Sequence, residues 1–164
     1  MRGKIIYHTI GVIYSLFKKP YGTPIQPRAA EGVKGKVVIK NKFKKGIKDL
    51  SGFSHIILIY HFHLSQGYSL WVKPFMDKKT HGVFATRAPC RPNSLGLSVV
   101  KLKKIKGNTL YIEDVDIVDG TPLLDIKPYL PHFDSPKVTK IGWLKKQIHR
   151  LPSHRDDGRF VKSK

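Results

Sequence analysis

Short stretches rich in β-branched and aromatic residues recur along this chain, with glycines, prolines and polar turns between them. Such stretches are typical of β-strands. The predicted strands and extended segments cover residues 5–15, 32–40, 54–63, 82–86, 95–105, 109–118 and 121–129. No predicted strand is followed directly by a long helix, which argues against the doubly wound βαβ fold of many nucleotide-dependent enzymes. The sequence therefore predicts an all-β fold, either a compact β-barrel or a strongly curved sheet.

Helical spacing of apolar residues occurs in only two places. It predicts a short helix over residues 43–50 and a C-terminal helix over residues 138–151. The polar and basic residues 153–164 are predicted to form a mobile tail. We therefore expect one β-barrel domain over residues 1–135, followed by a C-terminal helix and basic tail over residues 136–164.

The charge of the chain constrains its partners more than its fold. Lys and Arg number 31 against 11 Asp and Glu, a net charge of +20. Three explanations of this charge are open: binding to nucleic acid, binding to an anionic membrane surface, or no anionic partner at all. Phosphate backbones are favoured, and the membrane is the weakest alternative because no basic amphipathic helix carries an aromatic face.

The cellular compartment is predicted from what the sequence lacks. The longest apolar run, residues 56–60, is far shorter than a membrane-spanning helix, and no secretion signal is recognisable at the start. A single cysteine, Cys90, excludes an internal disulfide framework. We therefore expect an intracellular, cytoplasmic protein.

Three histidines share one face of the strand predicted at residues 54–63. His61 and His63 would lie about 6.5–7 Å apart, a spacing that two metal ligands can have. No Cys, Asp or Glu flanks His55, His61 or His63. We therefore favour a polar lining over a metal site, and no metal is expected.

Acidic residues cluster in one part of this basic chain. Five of the eleven carboxylates fall within thirteen positions: Glu113, Asp114, Asp116, Asp119 and Asp125. In a strand over residues 109–118, Asp114 and Asp116 would continue the apolar face of Leu110 and Ile112. This pattern is typical of a pocket rim, although an exposed strand end that balances nearby lysines is the alternative. Carboxylates at such a rim would suit a cationic or hydroxyl-rich ligand rather than phosphate.

The densest polar segment is residues 82–96, which we call the arginine loop. Arg87, Arg91 and Asn93 lie between prolines, and guanidinium groups suit phosphate, carboxylate or base edges. A structural turn with exposed arginines is the alternative, but the density of polar groups favours a site. The arginines predict a lowered pKa for the Cys90 thiol. No base lies near Cys90 in the sequence, so we do not predict a nucleophile.

Four stretches of the chain resemble, in order, the motifs of the TrmO family, also called TsaA-like proteins. They are TPIQPR at residues 23–28, LSGFSHI at 50–56, GVFATRAPCRPN at 82–93 and DIVDGTPLLDIKPYLP at 116–131. The resemblance implies a β-barrel that forms homodimers and binds S-adenosylmethionine without a Rossmann fold. It also implies a tRNA methyltransferase that modifies N6 of threonylcarbamoyl-adenosine at position 37, beside the anticodon.

The same resemblance assigns a cofactor pocket. Its expected residues are Gln26, Pro27, Arg28, Ala29, His63, Leu64, Ser65, Arg87, Leu97, Asp114, Val115 and Asp116. Carboxylates would lie near the positive sulfonium and amine of the donor, or bind its ribose hydroxyls. An arginine would pair with its carboxylate.

The chemistry of the expected substrate suggests further residues. Methyl transfer needs near-linear alignment of the reacting atoms, and the weakly basic N6 benefits from a general base or a stabilising cation. The catalytic candidates are Asp119 or Asp125 as base, Arg91 or Lys127 as cation, and Asn93 and Tyr129 to orient the adenine. A non-catalytic RNA-binding barrel and a methyltransferase with another substrate are the alternatives. The acidic cluster argues against a pure binding protein.

Overall fold

Six antiparallel strands close into a barrel in the computed structural model, which describes residues 3–161. The barrel strands are β1 (Gly11–Tyr14), β2 (Lys34–Ile39), β3 (His55–His61), β6 (Leu95–Lys106), β7 (Thr109–Glu113) and β8 (Thr121–Pro128). Their order around the barrel is β1-β2-β7-β6-β3-β8, and β8 pairs with β1 to close it. The predicted all-β barrel is therefore confirmed.

Strand β3 fixes the register on one side of the barrel. It pairs along its whole length with β6, from His55 opposite Lys101 to His61 opposite Leu95, and on its other edge with β8. Every second residue points inward, as the two-residue period of a strand requires. The fully buried core includes Ile13, Val37, Ile56, Leu58, Val100, Leu110, Ile112 and Leu123.

The long segment between β3 and β6 lies outside the barrel. It contains a two-stranded sheet of β4 (Trp71–Val72) and β5 (His81–Gly82). The strand predicted at residues 82–86 is wrong, because a 3-10 turn, Val83–Ala85, follows β5 directly. This turn leads into the arginine loop.

Other predicted strands are shorter in the structure. The strand predicted at residues 5–15 is β1, only Gly11–Tyr14. The strand predicted at residues 109–118 ends at Glu113, because Asp114 has a φ of 66°, in the left-handed region. Asp114 and Asp116 therefore do not continue one strand face.

Helical structure is sparse and mostly of the 3-10 type. The helix predicted at residues 43–50 is two 3-10 segments, Asn41–Ile47 and Leu50–Gly52, separated by the left-handed Asp49. A single α-helical turn, α1 (Pro131–Asp134), follows β8. No helix within residues 3–161 is long and apolar enough to cross a membrane.

The C-terminal segment differs most from prediction. The continuous helix predicted at residues 138–151 is replaced by two 3-10 segments, Gly142–Lys146 and Ile148–Ser153. Gly142 has a φ of 58°, which an α-helix cannot accommodate, and Pro152 lacks the amide donor that a continuing helix needs.

The tail predicted to be mobile is packed against the loop before residue 27 and against Phe75. The amide of Gly22 donates to the Asp156 carbonyl at 2.7 Å, and the amide of Asp156 donates to the Thr23 carbonyl at 2.8 Å. The Phe160 ring meets Phe75 edge-on at 5.0 Å between ring centroids. The rest of the predicted tail, residues 162–164, lies outside the described residues. The division of the chain at residue 135 stays a prediction.

Candidate active site

A cavity of about 350 Å³ opens at the end of the barrel where β3 stops and β6 and β8 begin. Residues 60–65, the arginine loop, the loop before residue 27 and the segment after β7 contribute to its walls. Its volume lies in the range of about 300–1,000 Å³ that is typical of small-molecule and cofactor sites. The cavity therefore gathers several sequence motifs at one end of the fold.

A buried chain of hydrogen bonds leads to this cavity. The Ser98 hydroxyl donates to Oδ1 of Asp116 at 2.7 Å, and the Tyr60 hydroxyl lies 3.0 Å from the Ser98 oxygen. Because the single Ser98 proton points to Asp116, Tyr60 is the donor to Ser98. The relay holds one oxygen of Asp116 in a fixed position.

Burial sets the charge of this relay. It raises the pKa of Asp116 to about 7, although the Ser98 hydrogen bond and the positive charge of Arg87 oppose the rise. Burial also raises the pKa of Tyr60 far above its usual value, and the negative charge of Asp116 adds to this. Near neutral pH, Asp116 is therefore poised between its neutral and charged forms, whereas Tyr60 remains protonated.

Two arginines of the arginine loop have different roles. Arg87 is exposed, and its Nη1 donates to Oε1 of Gln26 at 2.8 Å, which joins two separate loops at the cavity. Arg91 donates from Nη1 to the carbonyl of Thr86 at 2.8 Å and to two further carbonyls of its own loop at 3.3 Å. Arg91 therefore stabilises the loop that presents Arg87.

The turn after β3 supplies polar groups to the same cavity. Burial lowers the pKa of His63, and the charge of His61 lowers it further, so His63 is neutral at neutral pH. The Ser65 hydroxyl is buried and has no hydrogen-bond partner in the described chain. A buried polar atom without a partner is rare in proteins and indicates a missing ligand or water.

Comparison with known proteins assigns the fold and motifs to a family. Residues 12–135 match the sequence model described as the tRNA-methyltransferase O N-terminal domain. The chain belongs to the TrmO family. The resemblance predicted from its four motifs is confirmed.

Individual relatives of the TrmO family differ in length. A "Probable S-adenosyl-L-methionine-binding protein" of Pyrococcus abyssi is 56% identical over 95% of this chain and 85% of its own. A "tRNA (adenine(37)-N6)-methyltransferase" of Mus musculus is 38% identical over 82% of this chain but only 33% of its own. A crystal structure of TrmO from Pseudomonas aeruginosa matches with a TM-score of 0.72 and 33% identity, over 85% of this chain and 62% of that one. The chain thus spans only a third of the mouse protein.

The cavity brings together part of the cofactor pocket that the TrmO resemblance predicts. Seven of the expected residues line it: Gln26, His63, Leu64, Ser65, Arg87, Leu97 and Asp116. Five do not: Pro27, Arg28, Ala29, Asp114 and Val115. Asp114 turns away because of its left-handed backbone and forms an ion pair with Lys101 at 3.2 Å, whereas Val115 is buried in the core. The cofactor role of all twelve stays a prediction.

Most catalytic candidates lie elsewhere. Arg91 lines the cavity, and five others do not: Asn93, Asp119, Asp125, Lys127 and Tyr129. Asp119 accepts hydrogen bonds from the Ser15 amide at 2.9 Å and from Lys18 at 2.7 Å. The Lys18 hydrogen bond lowers its pKa, so Asp119 fixes a turn and is a poor proton acceptor.

The other candidates, on and after β8, lie away from the cavity. Asp125 pairs with Lys127 at 2.8 Å, several residues beyond the cavity-lining Thr121. The Tyr129 ring packs against His55, at the opposite end of β3. Within one chain, the structure does not bring these groups to the cavity.

Sequence reasoning missed several residues that form the site. Tyr60 and Ser98 are polar residues at inward positions of β3 and β6, a signal that strand parity contains. Asp156 also lines the cavity, and burial raises its pKa. No comparable pattern points to Asp156, because it lies in a segment predicted to be mobile.

The lowered pKa predicted for Cys90 is wrong. Burial raises the pKa of the thiol and outweighs the opposing effects of its hydrogen bonds and of Arg91. Among residues 3–161, no group of three or more His, Cys, Asp or Glu side chains is placed to hold a metal ion.

Proposed function

We propose that this chain is an S-adenosylmethionine-dependent methyltransferase that modifies N6 of adenine 37 in tRNA, with threonylcarbamoyl-adenosine as the acceptor. The observation that carries the proposal is a partly buried carboxylate, Asp116, on a cofactor-sized cavity of a TrmO-family barrel. A binding pocket for a cationic methyl donor needs negative charge, whereas a site for phosphate does not. The net charge of +20 suits tRNA as the partner that brings the acceptor.

The residues on the cavity fit the donor. Asp116 offers a carboxylate to the positive sulfonium or amine, and Arg87 offers a guanidinium to the donor's carboxylate. The unpartnered Ser65 hydroxyl offers one further hydrogen bond to a polar group of the ligand. Charge, hydrogen-bonding capacity and volume therefore all match S-adenosylmethionine.

Bound S-adenosylmethionine would supply a methyl group on a positively charged sulfur. In the overall reaction the carbon–sulfur bond breaks, a carbon–nitrogen bond forms at N6, and N6 loses a proton. Two carboxylates of the described chain line the cavity, Asp116 and Asp156, and burial raises the pKa of both. A raised carboxyl pKa suits the acceptance of a proton near neutral pH.

Donor binding and methyl transfer are tested separately. Calorimetry should detect binding of S-adenosylmethionine to the wild type and at least about tenfold weaker binding to Asp116→Asn, which lacks the negative charge. Asp125→Asn makes the same chemical change away from the cavity and should bind normally. Absence of binding to the wild type would refute the proposal and favour the RNA-binding alternative.

The acceptor is identified by mass spectrometry of tRNA nucleosides after single-turnover reaction. We expect a mass gain of one methyl group on threonylcarbamoyl-adenosine in tRNA that carries this modification. Methylation of unmodified adenosine 37 at the same rate would contradict the finer substrate assignment and leave the methyltransferase assignment intact.

We also propose that the chain forms a homodimer and acts in the cytoplasm on tRNA. Three consecutive apolar residues near the start, Ile5, Ile6 and Tyr7, are 65–76% exposed. Contiguous exposed apolar surface is typical of protein interfaces. Light scattering after size-exclusion chromatography should give twice the mass of one chain, and the monomer mass would refute the dimer.

A further inference from the structure

A second cavity of about 590 Å³ adjoins the first. The two spaces meet across the six residues that line both cavities: Ile25, Gln26, Phe75, Thr86, Arg87 and Phe160. The predicted donor cavity therefore has a neighbour large enough for another small-molecule group. A transferase needs such an arrangement, because donor and acceptor must approach from opposite sides of the transferred group.

Four aromatic side chains line the second cavity. Phe84 and Trp143 line this cavity and not the first, whereas Phe75 and Phe160 line both. The Trp143 indole is held in place, since its Nε1 donates to the Ala85 carbonyl at 2.9 Å and its ring stacks on His81 at 4.7 Å between centroids. The Trp143 side of the wall is thus held by contacts within the chain.

The two cavities differ in charge. The first is lined by Asp116 and Asp156, whereas no carboxylate lines the second among residues 3–161. The charged side chain on the second cavity is Arg87, at the junction. The flat aromatic faces and the positive charge of Arg87 make the second cavity suitable for a flat, neutral or negatively charged group.

We propose that this second cavity receives the purine base that is to be methylated, turned out of the RNA and stacked on aromatic side chains. The inference rests on the proposed function and names the acceptor subsite. Aromatic side chains bind unstacked bases through their faces. Arg87 lies at the junction of the two cavities, so a base in the second cavity would lie next to the donor in the first.

The surface beside this cavity also suits RNA. The C-terminal 3-10 segments that place Trp143 and Ile148 on its wall carry Lys145, Lys146 and Arg150, all exposed. These cations can contact phosphates while the base occupies the cavity. The segment lies beyond residue 135, where the match to the family's sequence model ends. The part of the wall that Trp143, Leu144, Ile148 and Leu151 form therefore lies outside the matched family domain.

Fluorescence of Trp143 tests whether a base enters. The chain has two tryptophans, so Trp71→Phe leaves Trp143 as the single reporter. An anticodon stem-loop RNA with adenine at position 37 should change its emission, and the same RNA with an abasic site at 37 should not. Equal changes in Trp143 emission with both RNAs would overturn the proposal. The same change in emission with S-adenosylmethionine alone would also overturn it, because it would assign the second cavity to the donor.

Kinetics tests the stacking contribution with two matched phenylalanines. Phe84 on the cavity is 75% exposed, and Phe133, which does not line it, is 79% exposed. Phe84→Ala should lower kcat/KM for tRNA by roughly 5- to 150-fold, the effect of losing one base–aromatic stack, with Phe133→Ala near the wild type. Donor affinity by calorimetry should be unchanged in both variants.

The failures of the two proposals can be told apart. Equal kcat/KM values for the Phe84 and Phe133 variants would overturn the acceptor cavity while donor binding stands. Because the fluorescence experiment needs no donor, a wild type that fails to bind S-adenosylmethionine would refute the methyltransferase proposal alone. A base-dependent change in Trp143 emission would still support the base cavity in that case.

Discussion

Replacing Asp116 by Asn should stabilise the protein at neutral and alkaline pH while weakening donor binding. The wild-type carboxyl is buried at the end of the relay from Tyr60 through Ser98. Asparagine has nearly the same shape and retains an oxygen that accepts the Ser98 proton. The substitution therefore removes the ionisable group and leaves the packing and the relay in place.

The magnitude follows from the two pKa values of Asp116. Its pKa is about 7 in the folded chain against 3.8 for an unperturbed carboxyl, a difference of about 3 that corresponds to about 4 kcal/mol. Below pH 3.8 both states are protonated, and the carboxyl makes no difference. Between pH 3.8 and 7 the unfolded chain loses this proton first, so wild-type stability falls by up to about 1.4 kcal/mol per pH unit. Above pH 7 the full penalty remains.

Urea denaturation from pH 4 to pH 8 measures this effect. The free energy of unfolding of Asp116→Asn should rise relative to the wild type as the pH increases, by at most about 4 kcal/mol, and then level off above pH 7. Since Asp116 keeps some contact with the open cavity, the observed gain should be below that limit. Asp125→Asn, on an exposed ion pair, should follow the wild type. A gap between Asp116→Asn and wild type that is independent of pH would refute the reasoning.

Three further predictions concern packing and reactivity. Gly96→Ala should lower the free energy of unfolding by about 1–3 kcal/mol, because the new alanine Cβ would lie 2.2 Å from the Tyr60 ring. Gly52→Ala is the control, since a Cβ there meets no atom within 4 Å, and equal urea midpoints for the two variants would contradict the prediction. The raised pKa of Cys90 predicts slower alkylation by iodoacetamide at neutral pH than that of free cysteine, and faster alkylation would contradict it. Phe160→Ala should loosen the C-terminal segment and speed its proteolysis, whereas an unchanged cleavage rate would show that this ring does not anchor it.

The barrel was predictable from local patterns because inward and outward residues alternate along each strand. In β3, the alternating residues Ile56, Leu58 and Tyr60 predict one buried face, and these three residues are the buried ones in the structure. The motif resemblance added the approximate location of the site. Together they identified Arg87 and Asp116 as members of one pocket, and the cavity does bring these two side chains together.

The details of the acidic cluster were not predictable from strand parity. A single left-handed residue, Asp114, ends β7 early and sends its own side chain to Lys101 instead of the cavity. Asp119 and Asp125 are likewise held by lysines, which sequence spacing does not reveal. Whether a carboxylate is paired or buried depends on contacts between residues far apart in the chain, and these decide its pKa.

The structure of the C-terminal segment also depends on distant contacts, but here the contacts bring side chains to the two cavities instead of holding them away. The polar and basic residues 153–164 were predicted to be a mobile tail, yet Phe160 packs against Phe75. Trp143, in the segment predicted to be a helix, is bound to the arginine loop through the Ala85 carbonyl. The segment thereby places Asp156 on the predicted donor cavity and Trp143 on the second cavity. If both proposals hold, the barrel supplies the donor site and this short segment completes the acceptor site. Substitutions in residues 142–161 should then lower kcat/KM for tRNA while leaving the free energy of unfolding of the barrel nearly unchanged.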